Sequence, residues 1–173
     1  TADSVELEDI SVVGTKTERL NDEVPASVTV ITGDRLDKEI ARDVSDLIRY
    51  EPGVSVSGTG SRFGLSGFNI RGIEGDRVQI LIDGIRAPDE FSSGGPFLDS
   101  RRDYVDIDLI ESVEILKGSG SSLYGSDAIG GVVSFITRKP RSYLSDDKSL
   151  YFNYKSGYSS KNNGFTNTGF FGF

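Results

Sequence analysis

The sequence predicts an α+β domain of short strands and short helices, followed after residue 140 by a strand pair of a different kind. Three observations carry this. Residues 110–140, IESVEILKGSGSSLYGSDAIGGVVSFITRKP, hold two apolar runs separated by Gly118, Gly120, Gly125, Gly130 and Gly131. β-Branched and aromatic runs of that length, bounded by Gly and Pro, read as buried strands. Asp34 and Asp43 each stand before residues with helical apolar spacing, where a carboxylate can accept from the orphan N–H groups of a first turn. Beyond Pro140, apolar and polar residues alternate singly, the period of a strand with one apolar face.

In chain order, residues 1–9, TADSVELED, carry four acids and little apolar content, which predicts a mobile tail. Residues 10–15, ISVVGT, form a short β-prone patch suited to an edge strand. SVTVIT, residues 27–32, is a strand by alternation. Asp34 caps a predicted helix with Leu36 and Ile40 on one face, and Asp43 a second with Val44, Leu47 and Ile48. Pro52 disfavours helical geometry at Glu51, and Gly53 ends the helix. Residues 57–67, SGTGSRFGLSG, read as a loop. Phe68 to Arg71 and Val78 to Ile82 read as two strands joined by the polar turn Glu74-Gly75-Asp76, with Asp83-Gly84 a second turn. Residues 87–104 form a polar loop interrupted by Pro88, Gly94, Gly95 and Pro96.

The segment 110–140 then reads strand, glycine-rich turn, short helical turn, glycine pair and strand, closed by Arg138, Lys139 and Pro140. In 149–160, Leu150, Phe152, Tyr154 and Tyr158 alternate with Tyr151, Asn153, Lys155 and Gly157. Residues 161–164 make a turn, and Phe165, Phe171 and Phe173 then share a face. Apolar-out alternation over about ten residues between turns is the pattern of a transmembrane β-barrel strand. An edge as bare as the one at Phe173 is not tolerated in lipid, which predicts the N-terminal portion of a longer protein.

Composition narrows the chemistry. The formal net charge of the 173 residues is −8, whereas a nucleic-acid binder needs a basic face. There is no Cys, His or Met, which removes disulfides, the usual zinc and haem ligands, and the commonest general base. No run of 18 apolar residues occurs, so no transmembrane helix is predicted. Thr1 is not followed by a signal-peptide pattern, which suits the mature form of an exported protein. Gly118 and Gly120 are followed by Leu123 rather than a third glycine, and no phosphate-loop pattern appears. Asp103, Asp106 and Asp108 lack the order of a calcium loop. No catalytic residue and no metal site is assigned, and the chain is expected not to be an enzyme. A soluble ligand-binding module would share this composition, but not the alternation after residue 149.

VEILKGSGSSLYGSDAIGGVVSFITRKP resembles the closing segment of the plug domain of TonB-dependent outer-membrane receptors. DISVVGT, DLIRYEPGV and FNIRGIEGDRVQILIDGIR are similar to further elements of that family in the same order. The resemblance implies a plug with a small mixed four-stranded sheet and short helices, lodged in a β-barrel. It divides the chain into a mobile N-terminal segment (1–20), the plug (21–140) and the first hairpin of the barrel (141–173). Asp9, Ile10, Ser11, Val12, Val13, Gly14 and Thr15 then correspond to the box that pairs with the periplasmic domain of TonB. A mobile extended peptide of this kind can add to a sheet edge through main-chain hydrogen bonds.

Arg71 and Lys117 each precede a glycine at a strand end, where a long basic side chain either meets solvent or leaves the domain edge. The resemblance implies that they hold carboxylates on the barrel wall. It places Arg62, Phe63, Phe91, Ser92, Ser93 and Phe97 in loops facing the ligand. The wording of IRG, FLD and LYGS-x-A-IGG leans toward the haem, haemoglobin and transferrin branch. Members importing haem often carry a plug histidine where Phe91, Ser92 and Ser93 stand here. The implied function is active uptake of an iron source such as haem or a haem protein, or alternatively of a ferric siderophore or another scarce nutrient. Haem or a ferric complex would be cargo, not a resident cofactor. The implied partners are TonB, the chain's own barrel, outer-membrane lipid and an extracellular iron-carrying ligand. The implied location is the outer membrane of a Gram-negative bacterium, with the N-terminus in the periplasm.

Overall fold

The two apolar runs of 110–140 become adjacent strands because the glycine-rich connection between them reverses the chain without filling the space between. In the computed structural model, residues 10–11, 19–20, 27–33, 35, 44–57, 67–88, 106–139, 143, 150–160 and 163–172 are described. The elements, in order, are β1 (Ile10–Ser11), β2 (Arg19–Leu20), β3 (Val28–Thr32), α1 (Val44–Leu47), β4 (Val54–Ser57) and β5 (Gly67–Ile70). They continue with β6 (Val78–Ile82), β7 (Ile85–Arg86), β8 (Ile110–Lys117), α2 (Ser121–Tyr124), β9 (Gly131–Thr137), β10 (Tyr151–Ser159) and β11 (Gly164–Gly172). Single 3-10 turns, Gly75–Arg77 and Ile107–Leu109, precede β6 and β8. The chain divides into two units, Thr1–Thr137 and Arg138–Phe173.

The first unit is built on one sheet in the order β3-β8-β9-β6-β7. Only β6 and β9 run parallel, so the sheet is mixed, as expected. It has five strands rather than four. Asp83 and Gly84 both take positive φ, 49° and 79°, the geometry of a tight hairpin turn. That turn folds β6 back onto itself as the two-residue strand β7.

Phe68–Arg71 and Val78–Ile82, read as strands joined by one turn, do not pair with each other. β5 pairs with β4 in a separate two-stranded sheet, because Arg71 and Gly72 reverse the chain immediately after Ile70. β4 itself arises from the short alternation Val54-Ser55-Val56-Ser57, which buries Val54. The second predicted helix is present as α1. Of the first, Gly33 and Arg35 are helical, while Asp34, Leu36 and Ile40 lie outside the described residues. Asp43, its partner cap, also lies outside them.

Register sorts the sheet's side chains between two cores. Ile31, Val113 and Phe135 lie opposite one another across β3, β8 and β9. They join Ile115, Val133, Val78 and Ile80 beneath Leu47, Ile48, Val54, Phe68 and Ile70. Phe68 and Phe135 meet with ring centroids 6.0 Å apart. The other face packs Leu81, Leu116, Ala128 and Val132 against Val28 and Tyr124. Both faces of β8 and β9 are therefore covered, which is why their sequences run apolar instead of alternating.

In the second unit β10 and β11 form an antiparallel hairpin of nine residues each, with Phe152 opposite Phe171 and Tyr158 opposite Phe165. Tyr143 stacks on the other side against Tyr151 and Phe170. Among the described residues, no helix is long and apolar enough to cross a membrane.

The glycine pair after Ala128 is a packing requirement. Gly131 has φ +152°, and a Cβ there would lie 2.4 Å from the Leu116 carbonyl oxygen and 2.7 Å from Ile70 Cδ1. Gly118 has φ +133° with open space around it. Gly118→Ala is therefore expected to cost only backbone strain, about 1–3 kcal/mol. Gly131→Ala adds an overlap with immovable backbone and should cost distinctly more. Urea titration of the two variants checks the order, and equal losses would show that the close approach of β9 to β8 is relaxed.

Candidate functional site

The site begins at a carboxylate held in a turn. After α1, Glu51 N donates to Ile48 O at 2.9 Å, and Gly53 at φ +75° turns the chain into β4. This places the Glu51 side chain inside the unit, 8% exposed, with a cation on each oxygen. Lys117 Nζ lies 3.3 Å from Oε2 and Arg35 Nη1 3.2 Å from Oε1. Lys117 is equally buried, at 8%, and Arg35 is partly open, at 36%. A buried carboxylate is tolerated when its charge and lone pairs are matched in this way. Lys117 N also donates to Ser27 O at 2.8 Å, tying the end of β8 to the start of β3. Expected to reach a barrel wall, Lys117 instead finds its carboxylate inside its own domain.

Arg71 is arranged differently. Ile70 and Ile73 exchange backbone hydrogen bonds of 2.8 and 3.0 Å around it, and Arg71 and Gly72 have φ 52° and 88°. Asn69 Oδ1 accepts from Gly72 N, and Arg71 N donates to Gly53 O. The arginine thus stands exposed at the tip of a turn whose φ an L side chain with a Cβ rarely adopts. Such strain at an exposed charged residue is a pointer to function, since nothing in the fold's core requires it.

The other charged contacts secure loops. Asp83 Oδ1 accepts from Thr137 N at 2.8 Å and Oδ2 from Thr137 Oγ1 at 2.7 Å, binding the β6–β7 turn to the end of β9. Arg86 Nη2 donates to Asp127 Oδ2 at 2.7 Å. Hydrogen bonds from Arg86 and Ser126, then the Arg86 charge, hold the Asp127 carboxyl below the usual carboxylate range. Burial, and then the charge of the fully buried Glu114, push the Tyr124 phenol above its ordinary value. Asp106 accepts from Asp108 N, so these two acids serve a turn. Among the described residues, no group of three or more acids is placed to hold a metal ion.

On the hairpin, one face carries Phe152, Tyr154, Tyr158, Phe165 and Phe171, all exposed. At the N-terminus, Ile10 and Ser11 pair antiparallel with Leu20 and Arg19. Asp9, Val12, Val13, Gly14, Thr15, Arg62, Phe63, Phe91, Ser92, Ser93 and Phe97 lie outside the described residues. Glu51 was legible in the sequence only as the residue before Pro52. Its one marker was being an acid between the buried Leu47, Ile48 and Val54.

Residues 21–132 match the family described as TonB-dependent Receptor Plug Domain. The chain is 40% identical over 175 residues to the hemoglobin and hemoglobin-haptoglobin-binding protein A of Haemophilus influenzae, covering 95% of this chain and 16% of that protein. It is 38% identical to the hemoglobin-binding protein A of the same organism, again over 95% of this chain and 17% of that one. The chain thus spans about a sixth of the length of these curated relatives. Among solved structures it is similar to the Serratia marcescens hemophore receptor HasR, crystallised with its hemophore HasA and heme. The TM-score is 0.62 at 27% identity, over 85% of this chain and 22% of that one. The ferripyoverdine receptor of the Pseudomonas aeruginosa outer membrane shares the fold, with TM-score 0.63 at 20% identity over 90% of this chain and 21% of that one.

If Arg71 serves a partner and not the fold, it is dispensable for folding. Asn tolerates φ near +52° better than Arg. Arg71→Asn is expected to leave the chain as stable as the parent or more stable by about 0.5 kcal/mol. A clear loss in a urea titration would make Arg71 a structural residue.

Proposed function

The chain belongs to the TonB-dependent receptor plug domain family, and from that premise we propose that it is the gate of an outer-membrane transporter that takes up haem protein as an iron source. The family is one of receptors and not of enzymes. The 40% identity to a haemoglobin- and haemoglobin–haptoglobin-binding relative carries the choice of cargo. The neighbours at 20–24% identity that bind ferripyoverdine support the fold alone. A ferric siderophore is the weaker second reading, favoured by 29% identity to the siderophore receptor PirA of Acinetobacter baumannii.

In this reading Thr1–Thr137 fills the barrel and Arg138–Phe173 begins it. Nine-residue strands with one exposed aromatic face suit the first hairpin of a barrel wall. Arg71, exposed and held at a turn tip, is the residue of the pair best placed to meet a barrel carboxylate. Its planar guanidinium suits that contact. Lys117 serves the plug's interior. Arg62, Phe63, Phe91, Ser92, Ser93 and Phe97 belong to loops toward the outside, where ligand binds. Residues 9–15 lie toward the periplasm and pair with TonB by strand addition, which needs the main-chain N–H groups of the central residues. The energy comes from the proton gradient through TonB, with no chemistry in this chain.

The test is growth on haemoglobin as sole iron source, in a strain whose only haem-protein receptor is the full-length protein. Val12→Pro removes one donor and fixes φ near −65°, breaking a ladder, while Val12→Ala leaves the backbone intact. The expected result is that the parent and Val12→Ala grow, whereas Val12→Pro binds haemoglobin at the cell surface and does not grow. Growth of Val12→Pro equal to the parent would remove residues 9–15 from coupling. A parent that grows on a ferric siderophore but not on haemoglobin would give the second reading.

A further inference from the structure

We infer that Glu51 is the latch of the gate: a positioning residue that clasps the edge strand β3 and sets the load at which the plug begins to open. The inference rests on the gate reading above and adds to it a named residue and an order of events. β3 is the first strand of the sheet met along the chain from the N-terminal segment, and it is an edge strand bonded on one side only, to β8. A pull applied at residues 9–15 reaches β3 before any other strand of that sheet. Backbone bonds alone would let an edge strand peel from its end one pair at a time.

Glu51 changes that, because its two oxygens join the two ends of β3. Arg35, three residues beyond the last residue of β3, holds Oε1, and Lys117 holds Oε2. Lys117 belongs to β8 and is bonded through its backbone to Ser27, the residue before Val28. The run 27–35 is therefore closed at both ends through one carboxylate carried by a third segment, the turn after α1. The Lys117–Glu51 contact is sheltered from water, both side chains being 8% exposed, so salt does not screen it as it would a surface pair. Leaving either charge without the other in that position is costly, which makes the clasp hold or release as a unit. Among the described residues of β3 itself, only Val, Thr and Ile are present, so nothing else in the strand anchors it by charge.

The experiment pulls the full-length receptor, in a lipid nanodisc, through a tag at its N-terminus and records each rupture force and the length released. In the parent, the first major rupture is expected to free the chain through about residue 35, roughly 120 Å of contour. Glu51→Gln is expected to raise the rate of that first rupture at fixed load about thirtyfold, since a sheltered charge loses its partner. The later rupture of β8, β9 and β6 is expected to stay where it was, which a general loss of stability would not allow. The double variant Glu51→Gln/Lys117→Gln should open no faster than Glu51→Gln, because both substitutions break one clasp. If Glu51→Gln does not assemble, Arg35→Gln removes the more open cation and should speed the first rupture by a smaller factor. An unchanged first rupture, or ruptures that all weaken together, would overturn the assignment. The reading is mechanical and independent of cargo, so its failure is distinct from a failure of the haemoglobin growth test.

Discussion

Strand β8 is bonded on both sides and covered on both faces, and the remainder of the first unit is hung on it. Val113 and Ile115 are fully buried toward α1 and the β4–β5 pair, and Glu114 and Leu116 are buried toward α2. On one side β8 carries the edge strand β3, on the other β9, which carries β6 and β7 in turn. The apolar burial on two faces supplies the stabilisation that a small domain otherwise lacks. The close approach of Gly131 to the Leu116 carbonyl makes the β8–β9 pair the least deformable part of the sheet. An element so fixed is suited to be the stationary part of a gate. The outer strand, supported on one side, is suited to move.

Charge is distributed to the same effect. The two basic residues that precede glycines at strand ends do different work. Lys117 is drawn inward to Glu51, where a compact ammonium on a flexible stem satisfies one carboxylate oxygen beside the sheet. Arg71 is turned outward at strained backbone, where a planar fork is available to a carboxylate outside the unit. The first contact closes the domain on itself, and the second is free to tie it to its surroundings. A plug that must be both retained and openable needs each kind, and separate residues allow one to release without the other.

Much of this was legible in the sequence because it rests on local rules. Val113, Ile115, Val132, Val133 and Phe135 announce buried strands by run length, and Gly118 to Gly131 announce the reversal between them. Asp83-Gly84 announces a tight turn by residue type. The alternation from Leu150 to Phe171 announces a two-faced hairpin, and register confirms one aromatic face. What was not legible is what depends on distant partners. Glu51 and Lys117 are 66 residues apart, and no spacing rule selects that pair from the chain's other acids and bases. The separation of β5 from β6 hinged on Arg71 taking a left-handed φ, which its residue type argues against. β4 was missed because two valines between serines are too short a pattern to outweigh the loop that follows. The fifth strand was missed because β7 is two residues long.

Native-state hydrogen exchange of the chain, read residue by residue, tests most directly whether the sheet has a moving edge and a fixed centre. The β9 amides, between β8 and β6, are expected to exchange only through global unfolding. The β3 amides are expected to exchange through a smaller opening of lower free energy. If β3 and β9 exchange with the same free energy and the same denaturant dependence, the sheet opens as one body and β3 is not its first-moving part.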